Sequence, residues 1–362
     1  MSDEVSIQLA GDGAQTILAG WQEVRITVGI ERVPPDFEVT YTERAPGGAT
    51  SVAVPGQACT LKIGSDTVLT GYVDVVDEEI SAARHQLRLT GRGRTEDLVD
   101  CAAVWQGAMF RNVTALDMAQ RLAAAYGIPA VSGTPTMARL PVVMMNIGET
   151  AYEVIDRVCK LSGLLAFEQP DGSLLLTRVG SLQAASGFQE GRNVQRAGYR
   201  RSMDQRFSNY TVVYPGNELL GDTGAAVLST YSYQDTHVPR FRQKYVELLS
   251  NSMGVSLTEA QAKWERNRRW GRSHVVRLTA DSWRDLGGTL WTPNTLAEVD
   301  APSVKVSRSQ LLIGEVTFVK SLETGTTAEI ELMPPQAFDV EPIPYMPIPM
   351  DVEVAQGLGP KP

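Results

Sequence analysis

KIGSDTVLTGYVDVV, Lys62 to Val76, and KVSRSQLLIGEVTFV, Lys305 to Val319, lie on one another without a gap when the chain is shifted by 243 positions. Lys, Leu, Gly, Val and Val coincide, and the same shift carries HQLRL, ending at Leu89, onto AEIEL, ending at Leu332. Alternation of apolar and polar residues is what any half-buried strand shows. The equal loop length and the Gly71/Gly314 match are more specific, because a glycine inside a strand marks a bulge or a close backbone approach. The pattern predicts two copies of one β-domain, one toward each end of the chain.

Outward from the first copy, EVRITVGIE alternates Val24, Ile26, Val28 and Ile30 with polar residues or glycine, and FEVTYT repeats this at Phe37, Val39 and Tyr41. Turn signals at Pro34, Ala45, Pro55 and Gly64 cut the region into the short strands of a closed barrel or sandwich. After Leu89 the period changes. Thr95 stands before Glu96 and Asp97 as a helix cap, and two capping boxes follow, Thr114 with Asp117 (stapled by Val113 and Met118) and Thr150 with Glu153. These helices end at Gly127 and Gly163, and a hairpin, LLAFEQ-PDG-SLLLTR, comes next. The second β-block holds NYTVVYPG, KYVELL, HVVRLTA and the repeat, with one long helix from about Leu257 introduced by Ser256 and Glu259. Six prolines between Pro334 and Pro349 predict an extended arm that is neither helix nor interior strand. Its apolar Ile343, Tyr345, Met346, Ile348 and Met350 predict that it lies on another surface.

The expected class is therefore α+β, mainly β. Residues 1–92 form a first barrel-like domain, 93–198 an inserted α/β domain, 199–336 a second barrel-like domain with a helical excursion, and 337–362 the Pro-rich arm. A chain of 362 residues, 43% hydrophobic and 21% charged, has room for more than one core. No apolar run approaches the roughly 20 residues of a bilayer span, and the first residues lack the basic start and apolar stretch of a signal peptide. Cys59, Cys101 and Cys159 have no CxxC spacing and read as buried free thiols.

The net charge of −9 argues against a general nucleic-acid binder, yet residues 192–284 carry +7. Within them AQAKWERNRRWGR sets Trp264 and Trp270 among Arg266, Arg268, Arg269 and Arg272, a pattern able to bind phosphates and stack bases. The competing reading, favoured because the rest of the chain is acidic, is an amphipathic helix whose arginines meet acidic surface in another domain or another copy. Catalytic and metal signatures are missing from the sequence. His85, His237 and His274 are far apart, GRGRTED at Gly91 lacks the Gly-Lys-Ser/Thr ending of a phosphate loop, and no GxSxG elbow occurs. Asp77, Glu78 and Glu79 suggest a glycosidase pair only loosely and read as a solvated hairpin end. No catalytic, cofactor-binding or metal residue is assigned, and no cofactor is expected.

The order of parts resembles a known family. A β-domain, the seam GRGRTEDLVDCAA, an insert with GETAYEVIDRVCKLSGLLAFEQPDGSLLLTR, and a closing LWTPNTLAEVDAPSVKVSRSQLLIGEVTFVKSLETGTTAEIELMPPQAF are similar to the baseplate hub protein of Mu-like contractile-tailed phages. The resemblance implies a non-enzymatic homotrimeric ring with two tube-like β-barrels per chain, a pseudo-six-fold collar between the tail tube protein and the central spike protein. It also implies contacts with other baseplate proteins, phage DNA only in transit through the ring, no membrane insertion, and residence in the virion tail baseplate after assembly in the host bacterial cytoplasm. GETAYEVIDRVCKLSG also resembles the start of a LysM peptidoglycan-binding module. That supplies the competing class, a tail-associated cell-wall binder or murein hydrolase. A spike-core protein of a related secretion system is the nearest alternative within the structural class.

Overall fold

The computed structural model describes residues 3–10, 16–18, 21–42, 53–80, 85–104, 107, 109–135, 137, 139–219, 226–247 and 255–341. The first strands are β1 (Val5–Leu9), β2 (Thr16–Leu18), β3 (Glu23–Gly29), β4 (Asp36–Thr42), β5 (Ala58–Ile63), β6 (Asp66–Ile80) and β7 (His85–Gly93). Next come α1 (Glu96–Asp100), β8 (Met109–Val113), α2 (Ala115–Ala124), β9 (Ala130–Ser132), β10 (Leu140–Met144), α3 (Ala151–Leu161), β11 (Leu165–Glu168) and β12 (Leu174–Thr177). The remainder is β13 (Phe188–Gln189), β14 (Val194–Arg201), β15 (Asn209–Leu219), β16 (Ala226–Gln234), β17 (Gln243–Glu247), α4 (Val255–Arg272), β18 (His274–Ala280), β19 (Leu296–Ala301), β20 (Val306–Ser321) and β21 (Gly325–Met333). Short 3-10 turns lie at Pro302–Val304, between β19 and β20, and at Pro335–Phe338, after β21. The class is mainly β with helices, as the alternation and the capping signals predict.

The two ends of the chain do not make two separate closed barrels. Among the described residues they join into one 13-stranded sheet, whose path runs β14-β18-β21-β20-β3-β4-β7-β6-β5-β1-β2 and does not close. The join is antiparallel pairing of β3 with β20, from Gly29 opposite Glu315 to Glu23 opposite Ser321. The physical reason is the edge: an unpaired β3 would expose its amides and carbonyls, and the long β20 reaches past β19 far enough to pair with it. One apolar cluster underlies both ends, with Val24, Ile26, Leu61 and Leu89 from the first and Leu278, Val316, Phe318 and Ile330 from the second.

Strand order repeats. β3-β4-β7-β6-β5 and β14-β18-β21-β20-β19 are both antiparallel throughout, with the same succession of neighbours. The register differs from the gapless 243-position match. Placing Asp66 on Val306 puts Tyr72, the last β6 residue paired to β5, on Leu312, the last paired to β19. The same placement puts the bulge at Asp74 on the bulge at Gly314. That is a shift of 240, so Gly71 and Gly314 hold different positions. Gly71 marks a close approach to β7, whereas Gly314 is the bulge itself. β14 also spans the expected boundary at residues 198 and 199, because its pairing with β18 makes it part of the second half of the sheet.

The insert has its own core. Met118, Ala119 and Leu122 of α2 face Val154, Ile155 and Val158 of α3. Both capping boxes form, Thr114 with Asp117 and Thr150 with Glu153, each with reciprocal side-chain and backbone bonds. The hairpin β11–β12 turns through Asp171 and Gly172 and adds β9 in parallel. The long helix starts at Val255, so Ser256 lies inside it rather than ahead of it as a cap. With the three-stranded sheet β16-β15-β17 this helix forms the excursion of the second half. The apolar residues of the arm, Ile343 to Met350, lie outside the described residues.

Candidate assembly surfaces

The seam GRGRTED runs straight from β7 into α1. Thr95 occupies the cap position but makes no side-chain cap bond. Its hydroxyl instead donates to Glu168 at the end of β11, which also accepts the backbone N–H groups of Arg94 at 3.1 Å and Thr95 at 2.9 Å. Gly93 makes room for this carboxylate, since a Cβ there would lie 2.3 Å from its Oε1. Burial pushes the Glu168 carboxyl up to about 7, against the lowering effect of its three donors. On the other side of the seam Arg92 bridges Asp74 at 2.7 Å, Asp100 at 2.9 Å and Glu96 at 3.2 Å. Burial and the Asp74 charge raise the Glu96 carboxyl as well.

A pH dependence follows from Glu168. An unfolded glutamate ionises near pH 4.3, so between that pH and about 7 the folded chain holds a proton that the unfolded chain has lost. Stability from this group is full below the unfolded value, falls as pH rises, and levels off above about 7. Glu168→Gln removes the titration. The stability difference between variant and wild type, from urea midpoints, is expected to shift in the variant's favour from about pH 4.5 to about pH 7 and then flatten. A constant difference across that range would refute the shift.

The basic helix α4 spends most of its charge within the chain. Arg268 and Arg272 both reach Glu31, which follows β3. Arg268 and the Trp264 indole N–H also donate to the Asp339 carbonyl, at 2.9 and 2.8 Å, and Arg272 donates to the Ala337 carbonyl. Arg269 pairs with Glu265 at 2.6 Å. The Trp264 face carries the Arg268 guanidinium, and Trp270 lies beside His274. The aromatic rings are thus already engaged, and the arginines strap the segment after β21 onto the first half of the sheet. The sequence signal for this was the run of arginines; its target, Glu31, gave none.

The other residues singled out in the sequence are dispersed. His237 contacts the buried Asp235, His274 the Ser273 hydroxyl, and His85 begins β7 far from both. Cys59 and Cys159 are buried and free, and burial raises both thiols, Cys59 to about 12. Cys101 is only half-buried, contrary to expectation, because it follows the short α1 at the rim of the insert. Asp77, Glu78 and Glu79 are exposed at the end of β6. Among the described residues no cluster of three or more His, Cys, Asp or Glu is arranged to hold a metal ion, and no helix is long and apolar enough to cross a membrane.

The sheet carries a charged outer face at β14, β18, β21, β20 and β3. Arg25 pairs with Glu329 at 3.1 Å and Arg277 with Glu331 at 2.5 Å, and Arg196 and Arg200 extend the row at the sheet edge. Residues 6–93 match the N-terminal domain of the Mu phage baseplate assembly protein GpP-like family, 95–178 the second domain of baseplate hub protein gp44-like, and 255–341 the fourth domain of GpP. The chain belongs to the Mu-like phage baseplate hub proteins.

Among relatives of this hub protein, baseplate hub protein gp44 of Escherichia phage Mu is 29% identical over 343 residues, covering 92% of this chain and 89% of that one. The 43 kDa tail protein of prophage MuSo2 from Shewanella oneidensis superposes with a TM-score of 0.82 at 27% identity, over 93% of this chain and 99% of that one. In fold alone, the chain also resembles the Escherichia coli c3393 protein, TM-score 0.56 at 12% identity, over 93% of this chain and 80% of that one. That protein is described as a type VI secretion component structurally similar to the T4 tail proteins gp27 and gp5.

Proposed function

We propose that three copies of this hub protein form a ring that joins the six-fold tail tube to the three-fold central spike. The observation that carries the reading is the repeated order of five antiparallel strands with matching bulges. We read it as an internal duplication, so that three chains present six similar surfaces to a six-fold partner. A head-to-tail contact between unlike surfaces is what closes a cyclic trimer. On this reading the first half covers residues 1–92, the insert begins at 93 as a peripheral α/β domain, and the second half takes over near Phe188. The role is structural, not enzymatic: the ring is built in the host cytoplasm, resides in the virion baseplate, contacts other baseplate proteins and passes phage DNA only in transit.

Light scattering coupled to size exclusion is expected to give three chain masses for the purified protein. A stable monomer at micromolar concentration would overturn the ring.

A further inference from the structure

We propose that the ring closes by strand pairing, the outer edge of β14 in one copy adding antiparallel to the C-terminal half of β6 in the next. The inference rests on the ring reading and names its seam. It starts from the in-chain junction. β20 pairs with β19 through Leu312 and then, along the same edge, with β3 from Glu315 onward, while β21 holds its other edge. β6 is built alike: β5 pairs with it through Tyr72, β7 holds its other edge to Ile80, and from Asp74 to Ile80 the β5-side edge has no strand partner among the described residues. What β3 is to β20, some strand should be to β6.

The repeat identifies that strand. Glu331 faces Glu315 after the bulge of β20, as Thr90 faces Val75 after that of β6. One residue farther on, Leu89 faces Val39, which faces Val24 of β3. The matching series is Ile330, Leu278 and Ala197 of β14. β14 therefore stands where β3 stands, and it is the terminal strand of the sheet, with its outer edge unpaired along Arg196–Arg201 among the described residues. Carrying over the β3–β20 register, in which Thr27 faces Thr317 and Val24 faces Lys320, sets Arg200 opposite Asp77, Arg201 opposite Val76, Tyr199 opposite Glu78, and Ala197 opposite Ile80.

Charge and burial fit that pairing. The free edge of β6 reads DVVDEEI and that of β14 reads RAGYRR, so an acidic strand meets a basic one, and opposite charges directly across a ladder stabilise it. Faces agree as well: Ala197 and Tyr199 pack toward the core, as Val24 and Ile26 do in β3. Ile80, 76% exposed, would be covered. The in-chain junction is instead apolar at Ile26 opposite Phe318. The proposed seam is the ionic counterpart, suited to forming between separate chains by charge steering.

The test uses the full-length chain. Asp77→Arg or Arg200→Asp alone is expected to weaken trimer formation roughly tenfold or more, by setting like charges across the ladder, and the double swap is expected to restore it. In a second measurement Asp77→Cys with Arg200→Cys, or the adjacent Val76→Cys with Arg201→Cys, should form an inter-chain disulfide under oxidation, giving a ladder that ends at three chains. The slipped pair Asp77→Cys with Arg201→Cys, whose side chains point to opposite faces, should not. A wild-type trimer that neither cross-links in this register nor responds to the reversals overturns the strand pairing and leaves the ring standing. A wild-type monomer throughout the micromolar range overturns both.

Discussion

Gly71→Val is expected to abolish the native sheet, or to lower its stability by more than about 4 kcal/mol, the range reached only when a core or backbone contact is broken. A Cβ on Gly71 would lie 1.9 Å from the Arg92 carbonyl oxygen and 2.7 Å from Cα of Gly93. Both are backbone atoms of β7, so no side chain can swing aside. The two strands would have to part where Gly71 faces Gly93, which is also where the chain leaves the sheet for the insert. Arg92 would then lose its position between Asp74, Glu96 and Asp100, and the Glu168 bonds at the seam would go with it. Urea midpoints and soluble yield read the effect, and Gly71→Ala should be milder in the same direction. A Gly71→Val protein with a wild-type midpoint would mean that β6 and β7 are farther apart than described.

What was legible in the sequence was local. Thr114 with Asp117 and Thr150 with Glu153 are separated by three residues, and the bonds that make them caps are formed within that span, so reading them needed nothing else of the fold. The β3–β20 join pairs residues about 290 positions apart, and no pattern in EVRITVG distinguishes an edge strand from one that has a partner. Hence two closed units were expected and one continuous sheet was found. The strand order recurs in the two halves, but not in the register of the gapless sequence match. In β6 Val68 and Leu69 are both buried, and in β20 Leu311 to Gly314 are all buried, so alternation loses its phase there. The bulges at Asp74 and Gly314 reset the phase again, and an alignment led by matching glycines slipped by three residues.

The contact surfaces were legible only as charge. The arginine run of α4 announced an acidic target, and the helix found Glu31 but also the carbonyls of Ala337 and Asp339, which the run did not announce. Which of two partners a basic segment takes depends on tertiary placement, and here the division is telling. The helix arginines are consumed in holding the chain together, while Arg196, Arg200 and Arg201 of β14 remain at an edge and have no ion pair among the described residues. Glu168 carried no signal at all, because one glutamate before a PDG turn looks like any hairpin residue until the seam folds against it.

Phe338→Ala is expected to cost about 3–5 kcal/mol, the range for removing a large aromatic side chain from a packed core. The ring is 2% exposed and packs with Ile30 from the first half of the sheet, Phe167 from the insert, and Leu312 and Met333 from the second half. It therefore sits where all three parts meet. Its face lies 5.8 Å from the Arg272 guanidinium, and its tip fills the space over the bulge, where a Cβ on Gly314 would come within 2.7 Å of Cζ. Removing the ring leaves a cavity at this junction and frees the segment that α4 straps down, so hydrogen exchange should quicken in α4 as well as in Pro335–Phe338. Gly314→Ala tests the contact from the other side. Alone it should push the ring out of place, whereas with Phe338→Ala the new methyl enters vacated space. The double variant should thus lose less than the sum of the singles, by roughly 1 kcal/mol or more as residues in direct contact do. Strict additivity of the two losses would show that the ring does not rest on the bulge.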